Sequence, residues 1–119
     1  MNKILIVGVL VVLIVGLMVF LSGKNSELPE GSYDNFAICL TEKGLKMYGT
    51  EWCSHCKNQK EIFGNSFQYI DYIDCDKRRS ECLSAGIRGY PTWVFNGQQY
   101  SGEQNLKTLS ELTGCDINQ

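Results

Sequence analysis

Eighteen consecutive apolar residues, Ile4 to Leu21, separate the start of this 119-residue chain from anything that can fold as a soluble core. As a helix the run is ~27 Å long, enough with its polar flanks to cross a bilayer core of ~30 Å. A cleaved signal peptide is the rival reading. Its hydrophobic region would usually be shorter, with small residues at −3 and −1 of a cleavage site, and no cut near Phe20-Leu21-Ser22-Gly23 satisfies that pattern well. No cysteine directly follows the run to carry a lipid. The run therefore reads as a transmembrane anchor over 4–21 behind a short tail over 1–3. Lys3 on one side meets only Lys24 on the other, so charge signals the orientation weakly.

The cysteines supply the missing direction. All six lie after the apolar run, which fits an oxidising compartment better than the cytosol. The expected arrangement is single-pass, with the N-terminus inside and the domain on the extracytoplasmic side. Residues 22–33 read as a polar tether containing Pro29 and Gly31, with a coil span of ~20 Å. What remains, 34–119, is one small domain that covalent staples would help. All 13 acidic residues follow the anchor, against ten of the 11 Lys and Arg, so the domain is mildly acidic. No basic stripe suggests a nucleic acid.

The chemistry is concentrated in Thr50-Glu51-Trp52-Cys53-Ser54-His55-Cys56-Lys57. If Cys53 opens a helix, it and Cys56 share a face, and Cys53 meets the unpaired N–H groups at the positive helix end. That setting favours a thiolate, which is both a nucleophile and a leaving group in dithiol–disulfide exchange. His55 lies between the cysteines, where an imidazolium would stabilise the same thiolate. A lone C-x-x-C can also be half of a zinc site or a local structural bridge. The strand-like lead-in Leu45-Lys46-Met47-Tyr48 and the Glu-Trp and Lys flanks favour redox chemistry.

The order of elements comes from pattern and punctuation. Asp34 to Lys43 reads as a short helix with Asp34 as N-cap and Gly44 past its end. Leu45 to Tyr48 is a strand. The helix from Cys53 should run to Phe63, stopped by Gly64-Asn65, with Cys56, Ile62 and Phe63 inward and Lys57, Asn58 and Lys60 wet. Tyr69 to Asp74 has strand propensity, and Asp76 can cap a helix through about Ala85, ended by Gly86. Thr92 to Phe95, the turn Asn96-Gly97 and Gln98 to Ser101 form the clearest hairpin. Ser101-x-x-Gln104 resembles a capping box before a final helix striped by Leu106, Leu109 and Leu112 and closed by Gly114.

Strand, helix, strand, helix, hairpin, helix, with C-x-x-C at the first strand-to-helix junction, resembles the thioredoxin fold. The expectation is an α/β domain with a central mixed sheet of about four strands flanked by helices, preceded by one transmembrane helix. The resemblance implies a cis bond before Pro91 in Gly89-Tyr90-Pro91-Thr92, facing the C-x-x-C pair. Lys46-Met47-Tyr48-Gly49, Trp52 to Cys56, Gln59-Lys60 and Phe63-Gly64 are similar to thioredoxin domains associated with vitamin K epoxide reductase homologues. Cys82 to Ile87, Tyr90 to Trp93 and Asn96-Gly97 fit the same group, so the similarity spans about Leu45 to Gly114. It implies disulfide exchange with a quinone-coupled membrane enzyme, here as a separately tethered version. Thioredoxins also bury a carboxylate six positions before the first active-site cysteine; that position is Met47, and Glu51 is a weak substitute.

Six cysteines allow about 15 full pairings, and the inferred fold narrows them. With Cys53–Cys56 as the active pair, Cys75 and Cys82 can meet locally, leaving Cys39 for Cys115. A zinc site from Cys53, Cys56, Cys75 and Cys82 is the rival and would silence the redox pair; no metal and no cofactor beyond the redox disulfide is expected. Cys53 exchanges with substrate, Cys56 resolves, His55 tunes the potential, Trp52 shapes the approach surface, and Tyr90-Pro91 offers backbone to a bound peptide. The partners expected are protein thiols and the quinone-coupled enzyme. His55 favours an oxidant. A disulfide reductase and a non-catalytic cysteine-based binding module are the alternatives.

Overall fold

The computed structural model describes residues 2–22 and 32–118. Helix α1 (Lys3–Ser22) contains the apolar run, and its Lys3–Phe20 window has a mean hydropathy of 3.0 with nothing packed over it. It is long and apolar enough to cross a membrane, a test that a signal sequence also passes. The tether expected over 22–33 lies almost wholly outside the described residues.

The domain runs α2 (Asp34–Glu42), β1 (Lys46–Gly49), α3 (Ser54–Phe63), a 3-10 helix (Gly64–Tyr69), β2 (Asp71–Asp74), α4 (Arg79–Ser84), β3 (Thr92–Phe95), β4 (Gln98–Ser101) and α5 (Leu106–Thr113). The sheet order is β2-β1-β3-β4. Strands β1 and β2 are parallel, joined through α3, while β3 runs antiparallel to β1 and to β4. This is the thioredoxin fold, a four-stranded mixed sheet flanked by helices.

Side chains alternate across the strands and build two apolar layers. Met47 and Trp93 face a core with Phe36, Leu40, Phe63 and Leu109, from α2, α3 and α5. Tyr48 and Ile73 face the other way, onto Ile87 and the Cys75–Cys82 bridge beside α4. The Asn96-Gly97 turn has φ of 49° and 76°, the two positive values that a two-residue type I′ hairpin requires.

Several local expectations give way to tertiary contacts. Asp34 is the first residue of α2 rather than its cap, and its carboxylate accepts the Ser66 hydroxyl at 2.6 Å. The same oxygen of Ser66 accepts the Tyr33 N–H, so a residue 33 positions away ties down the start of α2, which has no side-chain cap of its own. Tyr69 closes the 3-10 helix and does not start a strand, because Thr41 bonds both the Tyr69 carbonyl and the Asp71 N–H there. Asp76 does not cap α4; Asp74 accepts the Asp76 and Lys77 N–H groups in a turn, and the helix starts only at Arg79. Ser101 ends β4, and Asn105 caps α5 through a 2.8 Å bond from the Thr108 N–H. Ile62 is 38% exposed, and Gln59 takes the inward place on α3 that it was expected to fill.

Candidate active site

Cys53 is the N-cap of α3, in extended conformation at φ −75° and ψ 121°. A cap side chain points back at the unpaired N–H groups of the first turn, and Cys53 Sγ accepts the Cys56 N–H at 3.2 Å. Cys56 sits one turn in, on the buried face, and is fully enclosed, while Cys53 keeps a small opening of 8%. Both are free thiols. One sulfur is reachable and the other is not.

The buried sulfur is costly to ionise. Burial pushes the Cys56 thiol up to about 12, helped by its hydrogen bond to Cys53 and by charge there. A backbone bond from Thr50 and the charge of Lys60 pull it down. The floor under it is tight: a Cβ on Gly49 would stand 2.9 Å from Cys56 Sγ and 3.3 Å from Tyr72 Cε2. Only glycine lets the chain pass there.

Tyr90 lies against Cys53, and Pro91 follows it. Their peptide bond is cis. The Cys53 thiol donates to the Tyr90 carbonyl across 3.6 Å. Pro91 is buried, and Trp52, 67% exposed, sets its ring edge-on to Tyr90 at 6.2 Å. Trp52 and Tyr90 thus form one surface beside Cys53.

His55 pairs with a carboxylate. Its Nδ1 lies 2.7 Å from Glu103 Oε2, on the loop after β4, and the imidazole is 69% exposed. Glu103 carries no sequence signal, since it stands 48 positions away in an unpatterned loop. Gln59 was missed in the same way. Fully buried on α3, it accepts the Trp93 indole N–H at 3.0 Å and the Gln104 N–H, and donates to the Gln104 carbonyl at 2.9 Å. Its amide fastens α3 to the sheet and to the loop before α5.

The other four cysteines are joined as Cys39–Cys115 and Cys75–Cys82. The zinc tetrad weighed above would need the last two reduced. Among the described residues no third His, Cys, Asp or Glu joins Cys53 and Cys56 in a group that could hold a metal.

No family model matches the chain. Thiol-disulfide oxidoreductase LTO1 of Arabidopsis thaliana is 40% identical over 97 residues, which is 71% of this chain and 26% of that protein. Thioredoxin domain-containing protein 5 homolog of Drosophila melanogaster is 37% identical over 101 residues, covering 73% and 24%. Protein disulfide isomerase-like 2-2 of Oryza sativa subsp. japonica is 33% identical over 79 residues, covering 55% and 21%. The chain spans about a quarter of the length of the curated relatives it matches. Among solved structures, a Fasciola hepatica thioredoxin aligns over 60% of this chain and 79% of its own with a TM-score of 0.43 and 16% identity.

Proposed function

We propose that this thioredoxin-like chain is a membrane-anchored thiol–disulfide oxidoreductase that oxidises protein thiols through Cys53 and Cys56. The observation that carries the reading is the inequality of the two sulfurs. Cys53 is reachable and receives an N–H bond at the head of α3, whereas Cys56 is sealed one turn behind it. Exchange needs that asymmetry, because a substrate thiolate should meet one sulfur only and the second should act within the molecule. The names of the relatives support the same chemistry.

In the oxidising direction a substrate thiolate attacks Cys53 Sγ of the Cys53–Cys56 disulfide. Cys56 leaves as a thiolate and takes up a proton. A second substrate thiolate then attacks the substrate sulfur of the mixed disulfide, and Cys53 leaves with the electron pair. The substrate gains a disulfide and the protein holds a dithiol. Trp52 and Tyr90 give the incoming chain an apolar rim, and the Tyr90 carbonyl beside Cys53 is the backbone group offered to it.

The dithiol must pass its two electrons on. The acceptor proposed is a quinone-coupled membrane oxidoreductase of the vitamin K epoxide reductase type, reached because α1 holds the domain at the extracytoplasmic face of the membrane. The resemblance over Leu45 to Gly114 supports this partner, and the six cysteines support the compartment. Confinement to a surface raises the effective concentration of the two proteins, so a weak docking contact suffices.

The redox state of Cys53–Cys56 in native membranes, fixed by rapid alkylation, tests the reading. Mostly disulfide is expected while the partner is present, and mostly dithiol once it is removed. A pair that is dithiol in both cases would make the protein a reductase, and full reoxidation without any such enzyme would exclude the partner.

A further inference from the structure

Met47, at the position where thioredoxins bury a carboxylate, is fully buried. Something else must make a thiolate tolerable at Cys56. Met47 pairs across the sheet with Tyr72 on β2 and Trp93 on β3, so these three side chains share the face under α3. The Tyr72 ring lies on the Cys56 side of that floor, beside the Gly49 backbone that the sulfur touches. Its hydroxyl is buried with no hydrogen-bond partner among the described residues.

Lys60 follows Cys56 by four residues, one turn along the same face of α3. Its Nζ stands 4.1 Å from the centre of the Tyr72 ring and 5.5 Å from that of Phe67. Glu51, two residues before Cys53, holds the same nitrogen at 3.0 Å. The Lys60 side chain is only 22% exposed, so its charge is partly shielded from water, while Glu51 reaches solvent at 65%. An ordinary wet lysine on α3 would point away. This one is folded back over the floor of the site.

We propose that Lys60, held over Tyr72 by Glu51, supplies the positive charge that stabilises the Cys56 thiolate whenever that sulfur attacks or departs. The inference rests on the exchange roles proposed for Cys53 and Cys56. Lys60 acts through Cys56 and is a positioning charge, not a group that bonds the substrate. In the resolving step Cys56 loses its proton to solvent, its sulfur bonds Cys53 Sγ, and the Cys53–substrate bond breaks with the electron pair leaving on the substrate thiolate. The same charge favours the reverse step, in which Cys56 departs. A cation at this place does by attraction what the missing carboxylate would do by accepting a proton.

The test uses the reduced full chain in detergent with dithiobis(nitrobenzoate). Attack by Cys53 releases one nitrobenzoate thiolate, and resolution by Cys56 releases a second, so the two steps are read separately. In the parent protein the second release should speed up with rising pH. Lys60→Met keeps the apolar stem but not the charge, and should slow the second release about five- to tenfold near neutrality while shifting its pH profile upward. Lys60→Arg should recover most of the rate. The first release should stay within about twofold in both variants, which also shows that the site is folded. Two releases in Lys60→Met with an unchanged pH profile overturn this inference alone. Failure of the parent protein to give a second release overturns the exchange roles beneath it. Glu51→Gln removes the carboxylate that holds Lys60 but keeps the lysine charge, so it should slow the second release less than Lys60→Met does. Slowing as large as in Lys60→Met or larger, with the lysine still present, would make the carboxylate the working base and reject the role given to Lys60.

Discussion

Cys53 and Cys56 carry the same side chain and differ in what surrounds it. One sulfur caps a helix and opens to the surface; the other is enclosed by Gly49, Tyr72 and the core. His55 Nδ1 lies 2.7 Å from Glu103 Oε2, so whenever the ring carries a proton Glu103 answers part of its charge. Since the reduced form holds the thiolate, removing the cation disfavours reduction, so His55→Ala should make the disulfide less oxidising. Glu103→Gln should move the potential the other way. Each shift is expected below ~30 mV, the equivalent of one pKa unit, because the pair is exposed and screened. Equilibration against glutathione buffers measures both, and shifts of the same sign would contradict the pairing. The C-x-x-C spacing marks the cysteine pair and His55, whereas the place given to Pro91 came from the resemblance to the thioredoxin fold. Glu103, Gln59 and the Lys60 setting were not legible, because each acquires its meaning from a partner outside its own motif.

At the scale of elements, α3 is the part on which the site depends. Its head presents Cys53, its buried face carries Cys56, Gln59 and Phe63, and Gln59 binds it to Trp93 and Gln104. Gln59→Leu keeps the volume but strands the Trp93 and Gln104 N–H groups in a dry place. The expected cost is about 2–4 kcal/mol, read from denaturant unfolding followed by tryptophan fluorescence. A loss under about 0.5 kcal/mol would mean that water or a shifted loop satisfies those groups. The Asn96-Gly97 hairpin stands where the sequence placed it, and the Leu109 helix ends at Gly114 as read but begins at Leu106 behind Asn105, not behind Ser101. The misplaced boundaries share one cause. At Asp34, Tyr69 and Asp76 a distant or neighbouring hydroxyl or carboxylate took the hydrogen bond that a local capping rule had assigned. Capping rules describe isolated helices, and this domain is small enough that its helices end on one another.

At the scale of the molecule, two bridges of very different reach hold a small domain. Cys39–Cys115 closes a sequence separation of 76 and ties α2 to the end of α5, whereas Cys75–Cys82 closes a separation of 7 between β2 and α4. On the loop-entropy model, losing the long bridge costs ~4–5 kcal/mol and losing the short one ~2–3 kcal/mol. The double alanine variants should therefore unfold in that order of denaturant concentration, the long-bridge variant first. Equal midpoints would show that local packing around each bridge outweighs chain entropy. On the proposal that α1 is an uncleaved anchor, the intact chain should stay with membranes through a carbonate wash. A soluble product beginning near residues 22–23 would identify the apolar run as a signal peptide instead.

The account turns on the division of labour between the two active-site sulfurs, and trapping measures it most directly. Cys56→Ser and Cys53→Ser full-length chains, expressed in the native compartment, are quenched with acid and resolved without reductant. Cys56→Ser should accumulate reducible adducts joined through Cys53, because the sulfur that would resolve them is absent. Cys53→Ser should accumulate few, since Cys56 is closed to an incoming chain. Equal trapping by the two variants, or greater trapping through Cys56, would contradict the account.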